Sequence, residues 1–298
     1  MSRPPARPLF VMLVAVLAMS WAAPLIRLAT APPLAVAAWR LTIATALLLP
    51  FMLAGAWRAE WARVSRRDRG AAVLAGLALA LHFATWITSL TLTSVAASAV
   101  LVSLSPVFAW LLSYRLLHER PSARQAGGIV LAIVGAAIIA GGDLSGGARA
   151  QLAGDLLALA GAAFGGLYFV IGRRLRGTLS LAAYVTPVYG VSALVLLAWA
   201  ALRGEAFVPY PPGDWAVFAG LALGPMLIGH TGLNYALRYL PAYSVNVAAL
   251  GEPVGATLIA WFLPAIAQRP PLAAVLGGFL ALGGIALALA DAPRRPRD

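Results

Sequence analysis

Cysteine and lysine are both absent from this 298-residue chain, and charged residues of either sign are scarce. Without cysteine the chain has no disulfides, no thiolate nucleophile and no cysteine-ligated metal centre. Charged residues make up 11% of the sequence, against roughly 25% in soluble domains. Hydrophobic residues make up 61%, and the mean hydropathy is +0.86. This composition indicates an integral membrane protein.

Motifs that bind nucleotides or perform catalysis are absent as well. The sequence has no glycine-rich phosphate loop and no nucleophile triad. Its three histidines, His82, His118 and His230, stand far apart and lack acidic neighbours at the spacing of metal ligands. We therefore expect no enzyme activity, no cofactor and no bound metal.

The net charge of +12 comes from 22 arginines, which in a soluble protein would favour nucleic acid as a partner. Here the arginines form short clusters between apolar runs, which is the pattern of membrane topology signals. The expected partners are the lipid bilayer and a small-molecule substrate, with no nucleic acid. The oligomeric state stays open, and a monomer is compatible with the sequence.

Ten apolar stretches are long enough to cross a bilayer, since a helical span needs roughly 20 residues. With charges, proline and glycine as boundaries, they cover residues 8–27, 33–56, 70–90, 94–117, 124–141, 152–173, 179–202, 214–237, 242–264 and 271–291. Seventeen arginines then fall on the side that holds both termini and four on the other. This bias predicts a multi-pass protein of the cell inner membrane with both termini in the cytoplasm.

The two halves of the chain resemble each other. A shift of 147 residues superposes Pro106 on Pro253, and a shift of 149 superposes Gly128 on Gly277. Because five helices per copy is an odd number, the second copy enters the membrane from the opposite side. The predicted fold class is all-α, with ten transmembrane helices as two five-helix inverted-topology repeats around a central cavity, an architecture of transporters. The repeats are placed at 1–142 and 150–291, followed by a cytoplasmic basic tail at 292–298.

The segment "SPVFAWLLSYRLLHERPSARQAGGIVLAIVGAAII" closely resembles the end of an EamA domain of the drug/metabolite transporter superfamily. The matching features are Pro106 within a helix, Glu119–Arg120 at the cytoplasmic end and a glycine-spaced fifth helix, and Arg40 resembles the family's arginine in helix 2. The resemblance covers roughly residues 8–290. In the second half no glutamate matches Glu119, and Glu252 stands before the second proline. The resemblance implies an exporter of small metabolites or drugs that works by alternating access.

Within the superfamily the aromatic amino-acid exporters are the nearest match, which implies aromatic or other hydrophobic amino acids as substrates, or organic cations. A nucleotide-sugar or sugar-phosphate transporter of the same superfamily stays open, as does a membrane scaffold, although a scaffold needs no inverted repeat. A membrane-embedded enzyme acting on lipid also stays open. That enzyme would need His82, His230 and Glu252 at a lipid-accessible cleft, whereas a transporter needs them around a central cavity.

Two charged residues are predicted inside the bilayer. Arg40 lies about eight residues from the outer end of its helix, which is deep for a side chain that snorkels to the interface, so it should face the protein interior. Its expected partners are backbone carbonyls, Glu252 or an anionic group of the substrate, and a structural role is favoured slightly. Glu252 is the acidic residue near a helix centre, where ionisable groups are functional candidates.

Polar and aromatic side chains supply the other site candidates. His82 and Trp86 share one helix face because they are four residues apart, and His230 and Asn234 do the same on a later helix. A histidine facing a cavity can bind a carboxylate or carry a proton, but hydrogen bonding between helices is an equally good explanation. The remaining cavity candidates are Trp21, Trp39, Tyr168, Tyr189 and Asn246, and the predicted hinges are Pro106 and Pro253.

Overall fold

The chain folds as a bundle of helices. The computed structural model describes residues 6–53, 55–89, 92–93, 98, 101–140, 148–205, 207–262 and 272–290, and within these ranges there is no strand. The basic tail at 292–298, the predicted start of the fourth span at 94 and the predicted end of the ninth at 264 lie outside the described residues. The helices are α1 (Ala6–Met19), α2 (Ala22–Leu28), α3 (Pro33–Leu53), α4 (Gly55–Arg63), α5 (Arg66–Ser89), α6 (Ser105–Leu117), α7 (Ala123–Ala140), α8 (Ala148–Leu175), α9 (Leu181–Leu202), α10 (Pro212–Leu221), a π-helical segment (Ala222–His230), α11 (Thr231–Ala236), α12 (Ala242–Ala249), α13 (Glu252–Phe262) and α14 (Leu272–Ala290).

Six helical segments are long and apolar enough to cross a membrane. They are Arg7–Ile26, Pro33–Leu53, Arg66–Ser89, Leu152–Leu175, Leu181–Leu202 and Pro212–Ala236. Their ends agree within a few residues with predicted spans one, two, three, six, seven and eight. Shorter apolar helices, Ala123–Ile138 and Val275–Ala290, lie at predicted spans five and ten. The chain is therefore an all-helical multi-pass protein, and the count of ten spans stays a prediction.

Predicted spans four and nine are each broken in the middle. A turn at 103–104 precedes α6, and a second turn at 250–251 precedes α13. Pro106 and Pro253 are each the second residue of the helix that follows, where a missing backbone N–H leaves no hydrogen bond unmade. The two prolines therefore do not stand inside continuous helices. They begin the second half of a broken helix, and their role as hinges stays a prediction.

Helices of the first half pack mainly against helices of the second half. The π-helical segment and α11 lie against α1, α8 lies against α5, and α9 lies against α3. In the same way α12 lies against α6 and α14 against α7. The bundle core is thus built between the halves, and neither half forms it alone.

Glycines set the distance between α7 and α14. A Cβ atom on Gly135 would stand 2.3 Å from the backbone nitrogen of Ala281, and one on Gly128 would stand 2.6 Å from that of Ala288. Such contacts are impossible, so only glycine lets the two backbones approach this closely. These two helices brace one edge of the bundle.

The π-helical segment interrupts the long helix from Pro212 to Ala236. It contains Pro225, whose nitrogen has no hydrogen to donate, and it presents Met226 and His230 to the buried side. A π-helix adds one residue per hydrogen-bonded turn, and such segments are frequent at functional sites. The change of register turns these two side chains toward the centre of the bundle.

Candidate functional site

Arg40 is a buried charge at the centre of the bundle. It lies on the buried face of α3, and only 2% of its side chain is exposed. Its Cζ lies 4.4 Å from the centre of the Phe83 ring, and its Nη2 donates to the Met226 sulfur at 3.0 Å. Its Nε has no hydrogen-bond partner in the part of the chain that the structure describes. The guanidinium is therefore held by an aromatic face and a thioether, both weaker partners than a carboxylate.

No carboxylate among the described residues forms an ion pair with Arg40. The ion pairs found there are Arg173–Glu119 and Arg174–Asp68. Glu252, half-buried at the first position of α13, interacts with Arg40 electrostatically from beyond ion-pair distance. The guanidinium thus forms no ion pair with Glu252 and no hydrogen bond to a backbone carbonyl of the described residues, which were the predicted protein partners. A buried cation without an anion is costly, which makes this position a candidate for binding an anionic group.

His230, Tyr168 and Asn234 form a connected group beside Arg40. The Phe83 ring that carries the guanidinium also meets the His230 ring edge to face at 5.6 Å. Asn234 Nδ2 donates to the Tyr168 hydroxyl at 2.5 Å and to the His230 carbonyl at 2.7 Å. The Nδ1 of His230 and the Oδ1 of Asn234 have no hydrogen-bond partner among the residues that the structure describes. Polar atoms that are buried yet unpaired can serve a ligand.

Tyr189 extends this group from α9. Its hydroxyl lies 3.1 Å from Thr231 Oγ1 and close to the side chains of Tyr168 and Asn234. An electrostatic interaction links it to Arg40. The structure thus brings together five of the predicted residues: Arg40, Tyr168, Tyr189, His230 and Asn234.

His82 and Trp86 stack on each other on α5, as their spacing predicted. The ring centres are 6.2 Å apart with an interplanar angle of 16°. His82 Nδ1 lies 2.8 Å from the Gly161 carbonyl oxygen, so this imidazole joins α5 to α8. A Cβ on Gly165 would come within 3.0 Å of the same nitrogen. His82 also interacts electrostatically with Arg40, which places the pair next to the central group.

Asn246 and Ser105 connect the two broken spans. Ser105 Oγ donates to Asn246 Oδ1 at 3.0 Å, and Asn246 Nδ2 donates to the Ala242 carbonyl. Because Ser105 is the first residue of α6, this bond ties the start of one half-helix to α12. Discontinuous helices of this kind line the substrate sites of several transporter folds.

Two predicted tryptophans lie away from the central group. Trp21 follows the end of α1, and 42% of its surface is exposed, so its expected place in a central cavity stays a prediction. Trp39 packs against Trp215 at 4.8 Å and against Phe218, and its Nε1 donates to the Phe207 carbonyl. Although it is adjacent to Arg40 in sequence, it points to another face of α3 and joins an aromatic cluster at the end of α10.

Buried arginines form hydrogen bonds between helices at the end of the bundle where α6 and α8 end. Arg173 is 3% exposed; its Nε donates to Glu119 at 2.9 Å and its Nη1 to the Leu237 carbonyl at 2.9 Å. Arg176 donates to the carbonyls of Asn234 and Leu179. Burial lowers the pKa of the Arg176 guanidinium to about 10, so it keeps its charge at neutral pH. These contacts tie α6, α8 and α11 together.

Hydrogen bonds to aspartates hold the other end. Thr30 donates to the Asp214 carboxylate through both its backbone nitrogen and its hydroxyl, each at 2.7 Å. Thr93 donates to Asp155 at 2.7 Å. The Arg40 group therefore lies between two closed layers, one made by arginines and one by aspartates.

Metal binding finds no support among the described residues, which contain no group of three His, Asp or Glu side chains close enough to hold an ion. The arrangement fits reversible binding of an organic molecule that carries a negative group.

Sequence reasoning missed several contributors to this site. Phe83 and Met226 carry the Arg40 guanidinium, yet in the sequence each is one apolar residue among many. Arg173 and Arg176 counted only as topology signals, although both are buried. These two arginines are three residues apart and therefore lie on one helix face. This spacing was the sequence feature that indicated a shared location for them.

Comparison with known proteins relates the chain to membrane transporters. The sequence profile described as "EamA-like transporter family" matches residues 6–141 and again residues 152–290. A probable terminal-alkyne amino-acid exporter of Streptantibioticus cattleyicolor is 30% identical over 193 residues, which cover 64% of this chain and 62% of that protein. The uncharacterized transporter YcxC of Bacillus subtilis is 28% identical over 235 residues, covering 74% of this chain and 73% of that protein.

A solved crystal structure has the same fold. It superposes with a TM-score of 0.81 and covers 97% of this chain and 98% of its own, at 22% sequence identity. At that identity the likeness concerns the fold alone.

Proposed function

Because the chain belongs to the EamA-like transporter family, we propose that it is a secondary transporter of the cell inner membrane that exports small amphipathic metabolites. Aromatic or other hydrophobic amino acids are the proposed substrates. The family and the names of the relatives point to transport rather than to catalysis. One relative is named an amino-acid exporter, but the match covers only 62% of that protein. The proposed substrate class is therefore argued from the residues around Arg40.

The observation that carries the proposal is the unpaired guanidinium of Arg40. It is buried, and among the described residues its Nε has no acceptor and no carboxylate pairs with it. A carboxylate bound there would satisfy the guanidinium through two parallel hydrogen bonds, the geometry that arginine favours. The α-carboxylate of an amino acid is such a group.

The rest of an amino acid has candidate partners nearby. Glu252 interacts electrostatically with Arg40 and offers a negative charge for the substrate ammonium group. Trp86, stacked on His82, and Phe83 supply aromatic faces for an apolar or aromatic side chain. One positive and one negative charge with aromatic surface between them suit a zwitterion with a hydrophobic side chain.

This arrangement disfavours two other substrate classes of the superfamily. A sugar phosphate carries close to two negative charges, and the other buried arginines, Arg173 and Arg176, are already bonded to Glu119 and to carbonyls at the end of the bundle. An organic cation has a partner in Glu252 but carries no negative group to balance the charge of Arg40. A membrane-embedded enzyme would need its histidines at a lipid-accessible cleft, whereas His230 is buried in the bundle.

The fold supports alternating access by two inverted repeats. If a two-fold axis exchanges the halves, each of the first five spans corresponds to one of the last five. The contact between α1 and α11 is then equivalent to that between α5 and α8, and the α3–α9, α6–α12 and α7–α14 pairs map onto themselves. The family profile matching twice agrees with repeats at 1–142 and 150–291.

In this proposal the two closed layers open in turn, one at a time. The layer of Arg173 and Arg176 opens to the cytoplasm and the Thr30–Asp214 layer to the outside. The excess of arginines at one end of the predicted spans supports a cytoplasmic position for both termini and the tail at 292–298. A ligand released from Arg40 leaves whenever the outer layer opens.

Counterflow in proteoliposomes tests the proposal. Vesicles containing the purified protein and unlabelled phenylalanine should accumulate external labelled phenylalanine, and labelled leucine should follow. Phenethylamine, which lacks the carboxylate, and phenylpropionate, which lacks the ammonium group, should compete at least tenfold more weakly. Glucose 6-phosphate should not compete.

Two results would refute the proposal. One is absence of counterflow for every amino acid in the panel, and the other is phenethylamine competing as well as phenylalanine. An imposed pH gradient in the same vesicles tests proton coupling, for which the candidate groups are His82, His230, Glu252 and Asp155. Flux that ignores the gradient would leave facilitated diffusion as the mechanism.

A further inference from the structure

An apolar groove runs along the outer surface of the bundle between α6 and α8. It encloses about 480 Å³. Phe108, Leu111 and Leu112 form one wall, and Ala163 and Phe164 form the other. The close approach of the two helices next to the groove depends on Gly166, where a Cβ would stand 2.8 Å from the backbone nitrogen of Ala109.

One end of the groove carries an arginine. Arg115 lines the groove and lies in the last turn of α6, about 10 Å along the helix axis from Phe108 at 1.5 Å per residue. Tyr114 beside it is 41% exposed and carries Arg120 over its ring at 5.1 Å. Tyrosine and arginine at a helix end mark the membrane–water interface. The groove therefore descends from the interface into the hydrocarbon region.

Arg115 has no protein counter-charge in the described part of the chain. The nearest acidic side chain in sequence, Glu119, is paired with Arg173 at 2.9 Å. Arg115 itself is exposed and takes part in none of the ion pairs found there. An apolar groove under an unpaired cation at the interface matches an acyl chain joined to an anionic headgroup in both polarity and charge.

We infer that this groove binds one anionic phospholipid of the surrounding bilayer. One acyl chain lies along Phe108, Leu112 and Phe164, and the headgroup phosphate meets the Arg115 guanidinium. Since α8 also carries Gly161 and Gly165 against His82, the lipid lies one helix away from the central group.

Spin-labelled lipids test this inference on the full chain in vesicles. Electron paramagnetic resonance measures the motionally restricted fraction of labelled phosphatidylglycerol and of labelled phosphatidylcholine. The wild-type protein should prefer phosphatidylglycerol about fivefold, the equivalent of roughly 1 kcal/mol per basic residue near an anionic charge. R115Q should abolish the preference, R115K should keep most of it, and R58Q, a matched exposed arginine in α4, should leave it unchanged.

A second variant probes the groove itself. A163F fills the wall with a ring and should lower the restricted fraction of both lipids alike while Arg115 keeps its charge. A thermal transition near that of the wild type shows that each variant is folded. Equal loss in R115Q and R58Q would show only general attraction to the charged surface and would overturn the site. Displacement of the labelled lipid by phenylalanine would make the groove a substrate entrance and would overturn it too.

Discussion

Replacing Arg40 by methionine should separate its cost to folding from its use in transport. The wild-type side chain is buried with one thioether contact and one ring contact. Removing it loses about 2 kcal/mol of cation–π attraction. It also removes a buried cation whose effective desolvation penalty is several kcal/mol. We therefore expect Arg40→Met to be at least as stable as the wild type, with a thermal midpoint higher by about 4 °C.

Binding should change in the opposite direction. Truncating one partner of a buried, hydrogen-bonded charge pair costs about 3 kcal/mol, which is more than a hundredfold in Kd at 1.4 kcal/mol per factor of ten. Phenylalanine at 100 times its Kd should raise the stability of the wild type by about 2.7 kcal/mol and should leave the Arg40→Met midpoint where it was. Arg40→Lys should also bind poorly because it lacks the planar fork.

The assays are thermal unfolding of the purified protein in detergent, with and without phenylalanine, and counterflow in proteoliposomes. Met226→Leu is the matched control, because it removes the thioether contact while conserving volume and should cost less than about 1.5 kcal/mol. The reasoning is refuted if Arg40→Met unfolds at a markedly lower temperature yet, once folded, binds phenylalanine like the wild type. Arg40 would then be a structural residue.

Three further predictions concern the closed layers and the helix crossing. Glu119→Gln removes the carboxylate that pairs with the buried Arg173 and should destabilise the protein by about 3 kcal/mol, measured by thermal unfolding. An unchanged free energy of unfolding would mean that water already screens the pair. Gly135→Val should prevent α7 and α14 from packing and abolish the folded peak in size-exclusion chromatography, whereas a normal peak would contradict the contact. Thr30→Val removes one of the two bonds to Asp214, worth about 1 kcal/mol. In the naturally cysteine-free chain it should speed thiol labelling of an introduced Ala31→Cys about fivefold from outside, and an unchanged rate would argue against an outer closed layer.

The sequence predicted most of the membrane-spanning segments because hydrophobicity is a local property. A run of about 20 apolar residues bounded by charges must cross the bilayer, so the segments at Pro33–Leu53 and Leu181–Leu202 follow directly. It also predicted that Arg40 faces inward, since a cation facing lipid is too costly. These conclusions need no knowledge of which helices are neighbours.

The contacts within the site could not be read from the sequence. Phe83 and Met226 lie 43 and 186 positions from Arg40 in the numbering, and their approach depends on how α3, α5 and the π-helical segment pack. The π-helical register itself, which aims Met226 at the guanidinium, has no reliable signature beyond Pro225. The surroundings of Trp21 and Trp39 could not be predicted for the same reason: an aromatic residue in an apolar helix fits either the lipid or the core.

Sequence alone determined the class of this protein, its transmembrane segments and the anomaly of one deeply buried arginine, because each follows from the free energy of placing a residue in water or in hydrocarbon. Only the tertiary structure decided that this arginine has no anionic partner within the described chain, and that His82, His230, Tyr168 and Tyr189 gather around it. The physical reason is that the free energy of a buried charge depends on distances to groups far away in the chain. Those distances exist only once the helices have packed.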